Sequence, residues 1–134
     1  MHTIRAADAP SFELPGVGFA GLAAPSRGSA GLCTWLLTVE PGHDPGEPHT
    51  IDQDEVFMVV SGTIRFQPAL DSSGDSDGAS RELGPGDAAV IPAGEPIHIV
   101  NPGTEPAKVY VAIRSGFVAK AADGSLVGTP PWAL

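Results

Sequence analysis

Residues 41–62 constrain the fold most, because this stretch is typical of two strands that meet at a polar turn. Side chains alternate along an extended chain, so every second residue of this stretch points to the same side. That side carries His49, Ile51, Gln53 and Glu55, and Phe57 continues it. An imidazole and a carboxylate on such an apolar face are costly unless they are paired or used. The stretch therefore predicts a β-structure with a His–Glu pair aimed at its interior.

Short apolar segments separated by turn residues fill most of the remaining chain. The predicted strands cover residues 31–40, 56–60, 63–67, 88–91, 97–100 and 108–114, with weaker candidates at 12–14 and 18–20. The 17 glycines and 14 prolines fit tight turns between these strands. No long stretch has the apolar spacing of an amphipathic helix. The pattern indicates an all-β fold, either a sandwich or a barrel.

Length and charge limit what the chain can be. Its 134 residues, of which 42% are apolar, have the size and composition of one folded domain. A net charge of −9 without a basic stripe excludes nucleic acid as a partner, and an anionic membrane surface would repel the chain. The single cysteine, Cys33, excludes an internal disulfide and lies among apolar residues, as a buried thiol does. No apolar run resembles a signal peptide or a membrane span, so we expect a cytoplasmic protein.

Residues 71–80 are acidic and rich in Gly and Ser. Such a segment buries too little apolar area to offset the entropy lost on ordering, so we predict a mobile hairpin loop. An Asp-rich calcium loop is the alternative, although the segment lacks the spacing and the closing Glu of an EF-hand.

Residues 42–62 resemble the first sequence motif of the cupin family, which has a Gly, then His-x-His, a Glu and a closing Gly. Gly42, His49, Glu55 and Gly62 fit this motif, and the spacing between the last two matches without a gap. The second His of the motif falls on Ile51.

Residues 86–101 resemble the second cupin motif, which has Gly, five residues, Pro-x-Gly, two residues, His, three residues and Asn. Gly86, Pro92, Gly94 and Asn101 fit it without a gap, whereas the His position falls on Ile97. Two motifs in the right order identify the chain as a small cupin over about residues 32–115.

The resemblance implies a double-stranded β-helix, which is a small jelly-roll barrel of two antiparallel sheets. We expect one cupin domain over residues 1–134, with its core at about 31–115, edge strands within 1–30 and a tail at 116–134 that packs on the barrel or on a partner. Small cupins often pair, so the resemblance also implies a homodimer. Trp35 and Trp132 are candidates to cover that contact, because buried aromatic residues dominate such interfaces.

Cupin barrels usually hold a divalent metal on three His and one Glu, and the resemblance carries over only His49 and Glu55. Ile51 and Ile97 have no donor atoms, so we favour no cofactor, or at most a weakly held divalent metal. If a metal binds, the expected ligands are His49, Glu55 and His98. The last would need a bulge, because a one-residue slip reverses the facing of a strand.

His49 and Glu55 are the candidate catalytic residues, since such a pair can transfer protons near neutral pH. The residues expected to bind substrate are Ile51, Gln53, Phe57, Arg65, Ile97 and Tyr110. One hypothesis is a metal-independent isomerase, epimerase, cyclase or lyase that acts on a small organic molecule. The alternatives are a non-catalytic module that binds a small molecule or a sugar, and a metal-dependent oxygenase with a reduced ligand set.

Overall fold

The computed structural model describes residues 1–68 and 78–134. The strands within these ranges are Ser11–Leu14 (β1), Val17–Gly21 (β2), Leu32–Val39 (β3), Thr50–Ile51 (β4), Glu55–Ser61 (β5), Ile64–Phe66 (β6), Arg81–Leu83 (β7), Ala88–Ile91 (β8), Ile99–Val100 (β9), Ala107–Arg114 (β10), Ala119–Lys120 (β11) and Leu126–Gly128 (β12). Helical structure in the same ranges is limited to the 3₁₀ helices Ala6–Asp8, Pro25–Arg27 and Pro131–Ala133. The predicted all-β fold is therefore confirmed, whereas most of the predicted loop at 71–80 lies outside the described residues.

The strands form three antiparallel sheets. The largest has six strands in the order β1-β2-β3-β10-β5-β8, and two three-stranded sheets have the orders β12-β11-β4 and β7-β6-β9. An isolated bridge between His49 and Ile97 connects the segments that precede β4 and β9. Buried apolar residues from all three sheets belong to one core. No helix in the described ranges is long and apolar enough to cross a membrane.

Alternation in three central strands fixes which side chains enter the core. The buried side chains are Cys33, Trp35, Leu37 and Val39 in β3, Glu55, Phe57 and Val59 in β5, and Ala107, Val109, Val111 and Ile113 in β10. Antiparallel pairing places β10 between β3 and β5, so these side chains share one face of the six-stranded sheet. Glu55 thus occupies an inward position on a face that is otherwise apolar.

Gly62 and Asn101, one from each motif, stabilise the turns in which they lie. Gly62 has φ +75°, and a side chain there would meet the backbone of β10 at 2.7 Å. The Asn101 side chain is buried and donates to the carbonyl oxygens of Val39 and Glu105, at 2.9 Å each. Its Oδ1 accepts a hydrogen bond from the Gly103 N–H at 2.9 Å. Both motif positions therefore support the barrel rather than its chemistry.

The two ends of the chain complete the barrel wall. β1 and β2 extend the six-stranded sheet beside β3, and β11 and β12 form a sheet with β4. Phe117 and Ala133 are each 1% exposed, so the C-terminal tail packs on the barrel of its own chain.

Candidate functional site

A cavity of about 290 Å³ lies between the six-stranded sheet and the smaller sheets. The polar side chains among its described lining residues are His43, His49, Glu55 and the indoles of Trp35 and Trp132, and the other lining side chains are hydrocarbon. A depression of about 390 Å³ also exists on the outer face of β1, β2 and β3, but only exposed or half-buried residues line it. The interior cavity is therefore the candidate site.

Glu55 is the buried acid of this cavity. It is the first residue of β5 and pairs with Ile91 of β8 on one side and Ile113 of β10 on the other. The residue is 2% exposed, and its Oε2 has no hydrogen-bond partner. This burial raises the pKa of Glu55 to about 8, because a carboxylate loses its hydration there. At neutral pH the side chain is mainly a neutral acid that can donate a proton.

His49 lines the cavity from the position just before β4. Its backbone exchanges two hydrogen bonds with Ile97, from His49 N–H to the Ile97 oxygen at 3.1 Å and from Ile97 N–H to the His49 oxygen at 2.7 Å. The residue is accessible to solvent, yet the protein around the ring removes enough water to lower its pKa from the ordinary 6.5. At neutral pH the imidazole is therefore uncharged and can accept a proton.

His49 and Glu55 share the cavity, as expected, but they do not form a hydrogen-bonded pair. The Glu55 Oε2 has no partner, and burial alone shifts the pKa of each residue. The pKa of each group is therefore determined by loss of hydration and not by the charge of the other group.

The donor set of the cavity does not fit a bound transition metal. No three His, Cys, Asp or Glu side chains of the described ranges are close enough together to hold an ion. Ile51 and Ile97, at the positions that the family resemblance assigns to His, contribute hydrocarbon to the cavity wall. The alternative set of His49, Glu55 and His98 is not brought together either, because His98 has a different partner.

His98 binds Asp44 and does not line the cavity. Its Nε2 lies 2.7 Å from Asp44 Oδ1, which also accepts a hydrogen bond from the Gly46 N–H at 2.8 Å. The bond from His98 is the main reason that the pKa of Asp44 is lowered, and the bond from Gly46 adds to it. Ile97, one residue earlier, is 2% exposed and lines the cavity, so the bulge required for a metal ligand at 98 is not present.

Three predicted substrate-binding residues, Gln53, Arg65 and Tyr110, do not line the cavity. Gln53 falls in the turn between β4 and β5, where strand alternation is interrupted. Arg65 lies between two buried residues of β6 and pairs with Glu82 at 3.1 Å outside the core. Tyr110 is 42% exposed, because Val109 and Val111 take the inward positions of β10. By contrast, Ile51, Phe57 and Ile97 line the cavity.

The terminal segments supply lining residues that the sequence analysis did not assign to the site. Val17 and Phe19 come from β2, whereas Phe117 and Trp132 come from the tail. Trp132 stacks on Phe19 with ring centroids 3.7 Å apart, so it packs on its own barrel. Trp35 is buried and also lines the cavity, whereas Trp132 is half-buried, so its part in a subunit contact stays a prediction. The homodimer itself remains a prediction.

Comparison with known protein families gives one match. The family model described as the cupin domain matches residues 35–113, which is more than half of the chain. No curated protein matches this chain.

Several solved structures share the fold. The polyketide cyclase RemF from Streptomyces resistomycificus is 20% identical with a TM-score of 0.70, over 85% of this chain and 79% of that one. A sugar phosphate isomerase of the cupin superfamily from Silicibacter pomeroyi is 25% identical with a TM-score of 0.58, over 90% of this chain and 81% of that one. KdgF from Halomonas sp. is 19% identical with a TM-score of 0.64, over 83% of this chain and 91% of that one.

Proposed function

Because this chain belongs to the cupin family, we propose that its barrel binds a small organic molecule and catalyses a proton transfer on it without a metal. The observation that carries this proposal is the buried Glu55 carboxyl, which has an unpartnered oxygen in an apolar cavity. A buried polar atom without a partner costs about 1–3 kcal/mol, so its retention favours a use in binding or catalysis. Isomerases, cyclases and lyases that act next to a carbonyl group need such proton transfers.

Opposite pKa shifts support assigning an acid and a base in the same cavity. The pKa of Glu55 is raised to about 8, and that of His49 is lowered from 6.5, so both groups are neutral near pH 7. An uncharged carboxyl donates a proton and an uncharged imidazole accepts one. Glu55 is therefore the proposed general acid, and His49 the proposed general base.

The proposed step is the enolisation of a carbonyl compound. The Glu55 O–H proton moves to the carbonyl oxygen, while the His49 imidazole takes a proton from the adjacent carbon. The electron pair of that C–H bond becomes the new C=C bond, and the former C=O π pair binds the transferred proton. The reverse step on the same or another carbon returns the proton. The solvent-accessible position of His49 suits this role, because the ring can exchange its proton with water.

Deuterium uptake by a simple ketone tests the proposal without knowledge of the natural substrate. 2-Tetralone, a small bicyclic ketone, is incubated with the protein in D₂O, and the loss of its α-proton signals is followed by NMR. We expect the protein to accelerate uptake and Glu55→Gln to reduce the protein-dependent rate about 100-fold or more, the usual contribution of a positioned acid. Tyr110→Phe, on the outer face, is the matched control and should keep the wild-type rate.

Equal uptake with wild-type protein and Glu55→Gln would reject the acid role of Glu55. Uptake that is no faster with the wild-type protein than without it would favour the second candidate function, a binding module without catalysis, in which the unpartnered Glu55 oxygen only binds the ligand. In that case Glu55→Gln should change the affinity for 2-tetralone and nothing else.

A further inference from the structure

Two buried polar atoms without partners lie on residues that line the same cavity. Within the described ranges, the buried side-chain nitrogen and oxygen atoms that lack a hydrogen bond are Glu55 Oε2 and Trp132 Nε1. Both residues belong to the cavity wall. An indole N–H can only donate, and a neutral carboxyl donates through its O–H. A molecule that satisfied both would therefore need two hydrogen-bond acceptors.

Trp132 is held in place by residues of β2, of β3 and of the 3₁₀ helix Pro25–Arg27. Its ring stacks on Phe19 at 3.7 Å with an interplanar angle of 11° and meets the edge of Trp35 at 6.4 Å. Arg27 Nη2 donates to the Trp132 backbone oxygen at 2.5 Å, and the Cys33 Sγ lies 3.3 Å from the Ala133 oxygen. A donor that is fixed before binding loses little entropy when a ligand arrives.

The cavity walls favour a flat molecule. Five aromatic side chains line it, namely Phe19, Trp35, Phe57, Phe117 and Trp132. Aromatic rings pack best against other flat rings, either stacked or edge to face. The volume of about 290 Å³ suits a molecule of about two fused rings.

The composition of the walls disfavours charged and sugar-like molecules. An anion would lose its hydration among hydrocarbon side chains in a protein of net charge −9. A sugar would bring several hydroxyl groups, but the polar lining side chains are two His, one Glu and the indoles. Most of those hydroxyls would be left without partners, at about 1–3 kcal/mol each.

We infer that the ligand is an uncharged, planar, mainly hydrocarbon molecule with two hydrogen-bond acceptors, one bound by the Trp132 indole N–H and the other by the Glu55 carboxyl. This inference rests on the proposed function for the role of Glu55 and adds Trp132 as a specificity-determining residue. The acceptor at Glu55 is the carbonyl that undergoes proton transfer, and the acceptor at Trp132 fixes the orientation of the molecule.

Three probes of similar shape test the ligand class. Chromone has a carbonyl oxygen and a ring oxygen on opposite edges, naphthalene has neither, and chromone-2-carboxylate adds a negative charge. The ¹⁵N-labelled indole groups give two NMR signals, one for each tryptophan, and Trp132→Phe identifies the signal of Trp132. We expect chromone to move the Trp132 indole proton downfield relative to naphthalene, and chromone-2-carboxylate to bind at least tenfold more weakly than chromone.

The variant Trp132→Phe keeps an aromatic ring on Phe19 but removes the N–H donor. We expect the preference for chromone over naphthalene, measured as a ratio of Kd values, to fall about fivefold, which is the net worth of one hydrogen bond. Tyr110→Phe, at a residue that is 42% exposed and does not line the cavity, is the control and should retain the preference. If the variant does not fold, nuclear Overhauser contacts with the stacked Phe19 ring assign the Trp132 indole signal in the wild-type protein, and the shift caused by chromone still tests the role of its N–H.

The possible failures point to different conclusions. An unchanged Kd ratio in Trp132→Phe, or no downfield shift with chromone, overturns the role of Trp132, while the proposed function stands if 2-tetralone exchange still depends on Glu55. Equal binding of chromone-2-carboxylate and chromone overturns the uncharged class, as does a failure of all three probes to bind. Deuterium exchange that is unchanged in Glu55→Gln overturns the proposed function and the assigned role of Glu55, while the role of Trp132 is decided by the indole shift and the Kd ratio.

Discussion

Two sites in this protein combine a histidine with a carboxylate, one inside the barrel and one outside it. Inside, Glu55 and His49 share an apolar cavity without bonding to each other. Outside, His98 and Asp44 are joined by a hydrogen bond of 2.7 Å. The pKa of Glu55 is raised to about 8 by burial, whereas the pKa of Asp44 is lowered, first by its bond to His98. A histidine and a carboxyl group therefore occur in both sites, but the carboxyl is neutral in the interior site and ionised in the outer one at neutral pH.

The difference teaches that solvent, more than proximity, prepares the interior site for chemistry. Asp44 is exposed and satisfies its charge with hydrogen bonds, so it is an ordinary ionised surface group. Glu55 has lost water and gained no partner in return. A carboxyl kept neutral in this way still holds a proton to donate at neutral pH, whereas the ionised Asp44 does not. Each prediction below tests one side of this contrast.

The largest effect concerns the pH dependence of stability. The folded state holds a proton on Glu55 up to about pH 8, whereas the unfolded chain releases it near 4.5, so rising pH favours unfolding across this window. At about 1.4 kcal/mol per pKa unit, the interior carboxyl lowers the free energy of unfolding by up to about 5 kcal/mol between pH 4.5 and 8. Glu55→Gln should lack this loss.

Urea unfolding of both proteins at pH 5 and pH 8 measures it. The variant should gain stability relative to the wild type as the pH rises, since Gln has no proton to release. A wild-type-to-variant difference that is the same at both pH values would show that Glu55 is not held neutral in the folded protein.

The next effect concerns the rate of 2-tetralone exchange as a function of pH. The rate should fall as pH rises through about 8, because Glu55 loses its donor proton. It should also fall at acid pH, below the ordinary histidine pKa of 6.5, because the His49 imidazole becomes charged there. His49→Gln should lower the rate about 100-fold and remove the acid limb. An acid limb that persists in His49→Gln would assign the base to another group, and His43, which also lines the cavity, would be the first to examine.

The smallest effect is expected at the outer site. Asp44→Ala removes the acceptor of the bonds from His98 and Gly46, and the Asp44 side chain is itself 55% exposed. An exposed pair of this kind contributes less than about 1 kcal/mol, so the free energy of unfolding at pH 7 should fall by no more than that. A loss of about 2 kcal/mol or more in the same urea titration would mean that the outer pair stabilises the fold strongly, which would contradict the contrast between the two sites.

Strand periodicity made the all-β fold and part of the candidate site predictable from the sequence. Alternation from His49 to Phe57 placed Ile51, Glu55 and Phe57 on one face, and all three line the cavity. Periodicity failed where the strand was interrupted, as at Gln53, and where it left the inward face undecided. In β10, alternation alone separates Val109 from Tyr110 but does not say which of the two faces the core.

The remaining part of the site depends on contacts between distant parts of the sequence. Arg27 binds the backbone of Trp132, which is 105 residues further along the chain. No local spacing encodes such an approach, because it results from the packing of the finished barrel. The apolar and aromatic residues near the C-terminus indicated burial, but only the fold shows that this burial forms a cavity wall.

The contact between Cys33 and the tail provides a chemical probe of tail opening, because the thiol can react only when the tail moves away. Cys33 is the single cysteine, it is fully buried, and its Sγ lies 3.3 Å from the Ala133 oxygen. Burial raises the pKa of this thiol, which slows its reaction with alkylating reagents further. Labelling under native conditions thus counts the fraction of time that the tail is detached. Since the same tail forms part of the cavity wall, a bound molecule should lower the rate of Cys33 alkylation in proportion to the fraction of protein that is occupied.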